Sequence, residues 1–173
     1  MKKLKLPILG LGLLLAAVSC KKSDVLPTNS SAVTANTASV QSAPVSSEWK
    51  TLTNWSSASK EKFTAFNTRI ADSSISNAVT SNGLVLVFKK DGNTINSLPY
   101  QDKVSNSYWY YQISAGTVQI NCDSYSTNKP VSNQSFTYFV LSPAQVKDLE
   151  AKGHSKMDLM QLTYENATSL IKK

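Results

Sequence analysis

The chain has 173 residues, with 18 basic and 11 acidic side chains and a formal net charge of +7. Lys60, Lys62, Lys89, Lys90, Lys103, Lys129, Lys147 and Lys152 are scattered as on a solvated mixed surface, and no block of five or more basic residues occurs, which leaves nucleic-acid binding without a footprint. One histidine and two cysteines exclude a typical zinc site, and six unclustered glycines offer no phosphate-cradling loop, so neither metal nor cofactor is expected.

The first 19 residues read as a leader. Met1-Lys2-Lys3-Leu4-Lys5 is a positive start, and the apolar stretch from Leu6 to Val18 has the length of a signal core rather than of a span of about 20 apolar residues. It ends Ala17-Val18-Ser19-Cys20, and small residues ahead of a cysteine resemble the bacterial lipobox, in which the thiol carries lipid and the leader is cut just before it. Cys20 is therefore the expected lipid attachment site. Each buried methylene of an acyl chain contributes about 0.8 kcal/mol, so two or three chains make a firm anchor. Loss of the leader leaves 15 basic against 11 acidic residues, a net of +4. Lys21 and Lys22 then lie where anionic headgroups are within reach.

Residues 20–47 are rich in Ser, Thr, Ala, Asn and Val, lack aromatics and hold no period. Such a segment buries too little apolar surface to offset its ordering entropy and reads as a flexible tether, holding the folded part of the chain about 30 Å from the membrane. Trp49 marks the expected entry to a single domain over 48–173.

In that domain, residues 62–70 place Phe66, Thr68 and Ile70 on one strand face, while Phe63, Phe66 and Ile70 also fit one side of a helix. Asp72 is the expected N-cap of a helix burying Ile75, Ala78 and Val79 and stopping at Gly83. Residues 84–90, LVLVFKK, are apolar on both faces, the mark of a central strand, and Asp91-Gly92-Asn93 is a turn signal. An edge strand ending at Pro99 comes next. The strands 107–114 and 117–124 form a hairpin through Ala115-Gly116, with Val118, Ile120 and Cys122 on one side and Gln119, Asn121 and Asp123 on the other. Cys122 reads as a small buried hydrophobe. A polar loop leads to a strand over 135–142. Ser142-Pro143-Ala144-Gln145 then opens a helix that stops at Gly153, and a last helix starts after Thr163 with Tyr164, Ala167, Leu170 and Ile171 toward the core. Strand following strand through short turns predicts a mainly β fold, a small antiparallel β-sandwich or curled sheet with two or three short helices; the alternative is α+β.

Taken in order, SNGLVLVFKK, SLPY, FTYFVLSP and LTYENA resemble a group of uncharacterised secreted proteins and lipoproteins of Bacteroidota over roughly residues 62–171. The group carries no established activity, so the resemblance implies a β-rich outer-membrane lipoprotein and no reaction.

Catalytic signals are sparse. His154 sits at a helix stop, where a histidine interacts with the helix dipole; a triad would need it together with Asp148 or Asp158, and no nucleophile elbow is present. Asp102 and Asp123 are candidate carboxylates for glycoside hydrolysis without a spacing to favour them. The strongest feature is the aromatic strand. Either Tyr108 with Tyr110, or Trp109 with Tyr111, is expected to form a shallow binding face, with Tyr125 nearby, unless both sets pack in the core and across strands. The leading expectation is thus a non-catalytic binding or adhesion module for a glycan or protein, tethered to the membrane by lipid on either face of the outer membrane. A periplasm-facing structural accessory of an envelope complex comes second and a carboxylate hydrolase third.

Overall fold

The computed structural model describes residues 43–126 and 134–171; the leader, Cys20, most of the tether and the loop bearing Lys129 lie outside them. In chain order the elements are β1 (Val45–Ser46), β2 (Lys50–Leu52), β3 (Ser56–Ser59), β4 (Thr64–Ala71), α1 (Asn77–Asn82), β5 (Leu84–Asp91), β6 (Thr94–Ser97), β7 (Tyr100–Asp102), β8 (Ser107–Ser114), β9 (Thr117–Ser124), β10 (Gln134–Leu141), α2 (Pro143–Ala151), α3 (Lys156–Met160) and α4 (Tyr164–Ile171). All strand pairs are antiparallel, in two sheets. Sheet A runs β1–β10–β5–β6 with β2 also on β10, and sheet B runs β3–β4–β9–β8–β7. The expected mainly β sandwich is the fold observed.

The period-two pattern explains the packing. Val85 and Val87 of β5, and Phe136, Tyr138 and Val140 of β10, meet Phe66, Ile70, Trp109, Val118, Ile120 and Cys122 of sheet B in the core between the sheets. The opposite faces of the same two strands, Leu84, Leu86, Phe88, Phe139 and Leu141, are covered by Val146, Leu149, Leu159, Ala167 and Ile171 of the C-terminal helices. That is why β5 and β10 are apolar on both faces: they form the middle layer of three. The helices cap as their sequences dictate. Ser142 and Gln145 form a capping box with proline at the helix start, and Ser155 with Asp158 forms another ahead of α3. Thr163 Oγ1 accepts the Asn166 amide at the start of α4.

Three local expectations are corrected. Ser76, not Asp72, caps α1; the Asp72 carboxylate instead accepts the Ser74 amide and hydroxyl at 2.8 and 2.7 Å, a turn that ends before the helix starts. Ala78 is consequently exposed, while Ile75 and Val79 are buried as expected. Folded structure also begins ahead of Trp49, because Val45 and Ser46, in the stretch read as tether, pair with Val140 and Phe139.

Asp72 also ties the two sheets together, since the Tyr138 hydroxyl donates to its Oδ2 at 2.7 Å. Burial alone would raise the Asp72 carboxyl; the hydrogen bonds from Tyr138 and Ser74 outweigh it and hold the group below its ordinary value. A carboxyl lowered by folding contributes stability that is full above its unfolded pKa and is lost as pH falls through the folded one. Tyr138→Phe is therefore expected to destabilise by about 1 kcal/mol at neutral pH. The difference from wild type should shrink in acid, as urea unfolding at the two pH values will show.

Candidate functional site

The two-residue turn Ala115-Gly116 fixes the register of β8 on β9, and Gly116 supplies the positive φ of 76°. Tyr108 thereby stands opposite Asp123, Tyr110 opposite Asn121 and Gln112 opposite Gln119. The β4 register extends these rows to Ala65, Asn67 and Arg69. All of these side chains alternate away from the core, onto the outer face of sheet B. The run from Tyr108 to Ser114 makes this strip about 20 Å long.

Its parts are held in place by one another. The Tyr108 and Tyr110 rings stack at 5.5 Å with planes 24° apart. Arg69 Nε donates to Gln119 Oε1 at 3.0 Å, and Gln119 Nε2 donates to Asn121 Oδ1 at 2.8 Å and to Gln112 Oε1 at 3.4 Å. Beyond Tyr108, Tyr125 is exposed and packs on Phe63 at 5.6 Å. At the turn end the face dips into a hollow of about 560 Å³ beside Arg69, Gln112, Ser114 and Thr117. Partial burial raises the Asp123 carboxyl, and burial with the Asp123 charge nearby raises the Tyr110 hydroxyl. Asn121 is itself buried, at 6% exposure, so the face offers flat aromatic surface, the Gln112 and Gln119 amides and the Arg69 cation.

The alternation decides between the two aromatic pairs. Tyr108, Tyr110 and Tyr125 are on the surface, whereas Trp109 and Tyr111 turn inward and leave the expected binding face. Trp109 is 3% exposed and donates to Ser107 Oγ at 2.9 Å, and the Tyr111 hydroxyl donates to the Val85 carbonyl at 2.6 Å. Trp109 also packs edge-on against Trp55 at 5.8 Å.

A second cluster has no counterpart in the sequence pattern. Lys89, expected among the solvated lysines, is 1% exposed. It shares the inward face of Val85 and Val87, pairs with Asp91, and lies 4.6 Å from the Trp109 ring centroid. The Tyr100 hydroxyl donates to Asp91 Oδ2 at 2.6 Å, which with burial raises the Tyr100 pKa strongly. Cys122 is buried as expected; desolvation pushes its thiol up to about 12, so it stays protonated and unreactive at neutral pH.

The carboxylates named for hydrolysis do not face one another. Asp102 shares a row with Ser107 and Ser124 on the inner face, while Asp123 is on the outer one. Although burial works against it, Asp102 is held below its ordinary value by Ser105 and the Val104 amide, which close a tight turn on it. Of the possible partners of His154, Asp148 pairs with Lys152 at 2.8 Å and Asp158 caps α3. Among the described residues no three His, Cys, Asp or Glu side chains converge as metal ligands, and no helix is long and apolar enough to cross a membrane. The chain matches no family model, no curated protein and no solved structure.

Proposed function

We propose that this chain is a lipid-anchored outer-membrane protein whose sandwich binds an extended glycan across the outer face of sheet B. The observation that carries this reading is the stacked, surface-facing pair Tyr108 and Tyr110 set against a row of hydrogen-bonding amides and Arg69. Sugar rings present flat C–H faces to aromatic rings and hydroxyls to planar amides and guanidinium groups, and a preformed aromatic surface loses little side-chain entropy on binding. Cys20 supplies the anchor and residues 21–42 part of the reach. The domain, freed of Cys20, is expected to be retarded in native gels containing at least one of a panel of soluble β-glucan, xylan, mannan and chitin oligomers. Migration identical to that in an empty gel throughout the panel overturns glycan binding. For the anchor, Cys20→Ala is expected to move the protein from the membrane fraction to the soluble fraction; membrane retention of the variant contradicts lipidation there.

A further inference from the structure

The sandwich is open on one side. After β6 the chain leaves sheet A at Leu98-Pro99 and enters sheet B as β7. β6 pairs with β5 only over Phe88–Asp91, and β7 pairs with β8 only over Ser107–Trp109. Among the described residues, no strand pairs with Tyr110–Ser114 on the side away from β9. The residues flanking a two-residue hairpin turn are hydrogen-bonded to each other, so Ser114, Gln112 and Tyr110 direct their backbone groups to β9. By the same alternation Tyr111 and Ile113 direct theirs out of the sheet edge.

That edge opens into a groove of about 420 Å³ whose walls include Leu84, Tyr111, Ile113, Thr80, Met160 and Lys156, and which Tyr108 and Tyr110 also line. Natural edge strands are usually guarded by charge, proline or a bulge, yet Tyr110–Ser114 contains neither a charged residue nor a proline. The opposing β5 edge already has its Val85 carbonyl taken by the Tyr111 hydroxyl, so β8 is the edge left to pair. Among the described residues Lys156 is the one charged side chain on the walls, and Met160 is a half-exposed apolar one.

We propose that this groove takes an extended peptide of a partner protein, which adds as a strand to β8. Its backbone exchanges hydrogen bonds with Tyr111 and Ile113, alternate apolar side chains enter between Leu84 and Met160, and a carboxylate meets Lys156. The peptide's own backbone supplies the hydrogen-bonding partners that β7 supplies over Ser107–Trp109.

The test is selection of a phage library of random dodecapeptides on the immobilised domain, then calorimetry with the enriched peptides. The enriched sequences should alternate apolar residues and carry an acidic one. N-methylation at alternate peptide residues should weaken binding about tenfold or more, the effect of losing backbone hydrogen bonds. Thr80→Trp, which fills the groove from a half-buried position on α1, should abolish it; Lys156→Glu, at an exposed position, should weaken it severalfold and leave the melting temperature unchanged. The groove shares Tyr108 and Tyr110 with the outer face, so the two ligands are told apart by these two substitutions, neither of which alters a tyrosine: retardation by polysaccharide should survive both while peptide binding is lost or weakened. No enrichment over the empty support, binding indifferent to N-methylation and to Thr80→Trp, or occupation of the edge by a second copy of the chain in light scattering would each overturn the proposal.

Discussion

Lys89→Ala is expected to destabilise the domain by about 3 kcal/mol, among the largest effects of any single polar substitution in it. The ammonium is shielded from water, paired with Asp91, 3.3 Å from the Tyr100 hydroxyl and over the Trp109 ring, so it links β5 of sheet A to β7 and β8 of sheet B. Truncation removes the ion pair, the cation–π contact and the packing of the lysine stem together. The Asp91 side chain is 34% exposed, so water partly replaces its lost partner and the effect belongs at the low end for a broken buried pair. Lys89→Met combined with Asp91→Asn should recover most of the loss, because an apolar chain of similar length fills the space and no charge is left unpaired. Urea unfolding of the single and double variants reads both. A loss under about 1 kcal/mol for Lys89→Ala means that the site admits water freely.

Gly83→Ala should cost a similar amount for a steric reason. Gly83 closes α1 with φ −86° and ψ −161°, an extended backbone open to any residue, so conformational strain is not the cause. A Cβ there would lie 2.5 Å from the Leu141 carbonyl oxygen and 2.8 Å from Val79 Cα. Both are backbone atoms of packed elements, and relieving the overlap must push α1 away from the end of β10. Overpacking of this kind costs about 3 kcal/mol, or about 10 °C in melting temperature for a domain of this size. Gly92 makes the contrast: its φ is +56° and nothing lies within 4 Å of an added Cβ, so Gly92→Ala carries only the left-handed backbone cost of about 1 kcal/mol. Equal losses at the two glycines, measured by thermal unfolding, would contradict this assignment.

These two residues show what could be read from the sequence. Gly83 was legible as a helix stop, but its reason is a close approach to Leu141, a contact across 58 positions that no local pattern encodes. Lys89 carried a period-two signal, lying two and four residues after Val87 and Val85, but its lysine identity pointed to the surface and its aromatic partners come from another sheet. The hairpin β8–β9, the capping box at Ser142 and the Thr163 start of α4 are local, and each appears where the sequence places it. β3 was missed because its side chains are exposed on both faces, so its pairing with β4 is a backbone matter without a hydropathy trace. α3 was missed although Ser155 and Asp158 have capping-box spacing, because five residues are too short to show a period. At the site, the Tyr108 and Tyr110 side of β8 was one of two options from sequence. The choice came from Trp109 and Tyr111 turning to the core, and Asn67 and Arg69 joined only through the non-local pairing of β4 with β9.

Ligand binding by the outer face of sheet B rests on its stacked tyrosine pair. The most direct test is calorimetry of wild type and of the Tyr108→Ala/Tyr110→Ala variant against the polysaccharide that retards the wild-type domain most. Both side chains point away from the core, so the melting temperature should change little. Affinity should fall at least about tenfold, the loss expected when two flat aromatic surfaces leave a binding face. Unchanged affinity on an intact fold would place the ligand elsewhere and contradict the assignment of this face.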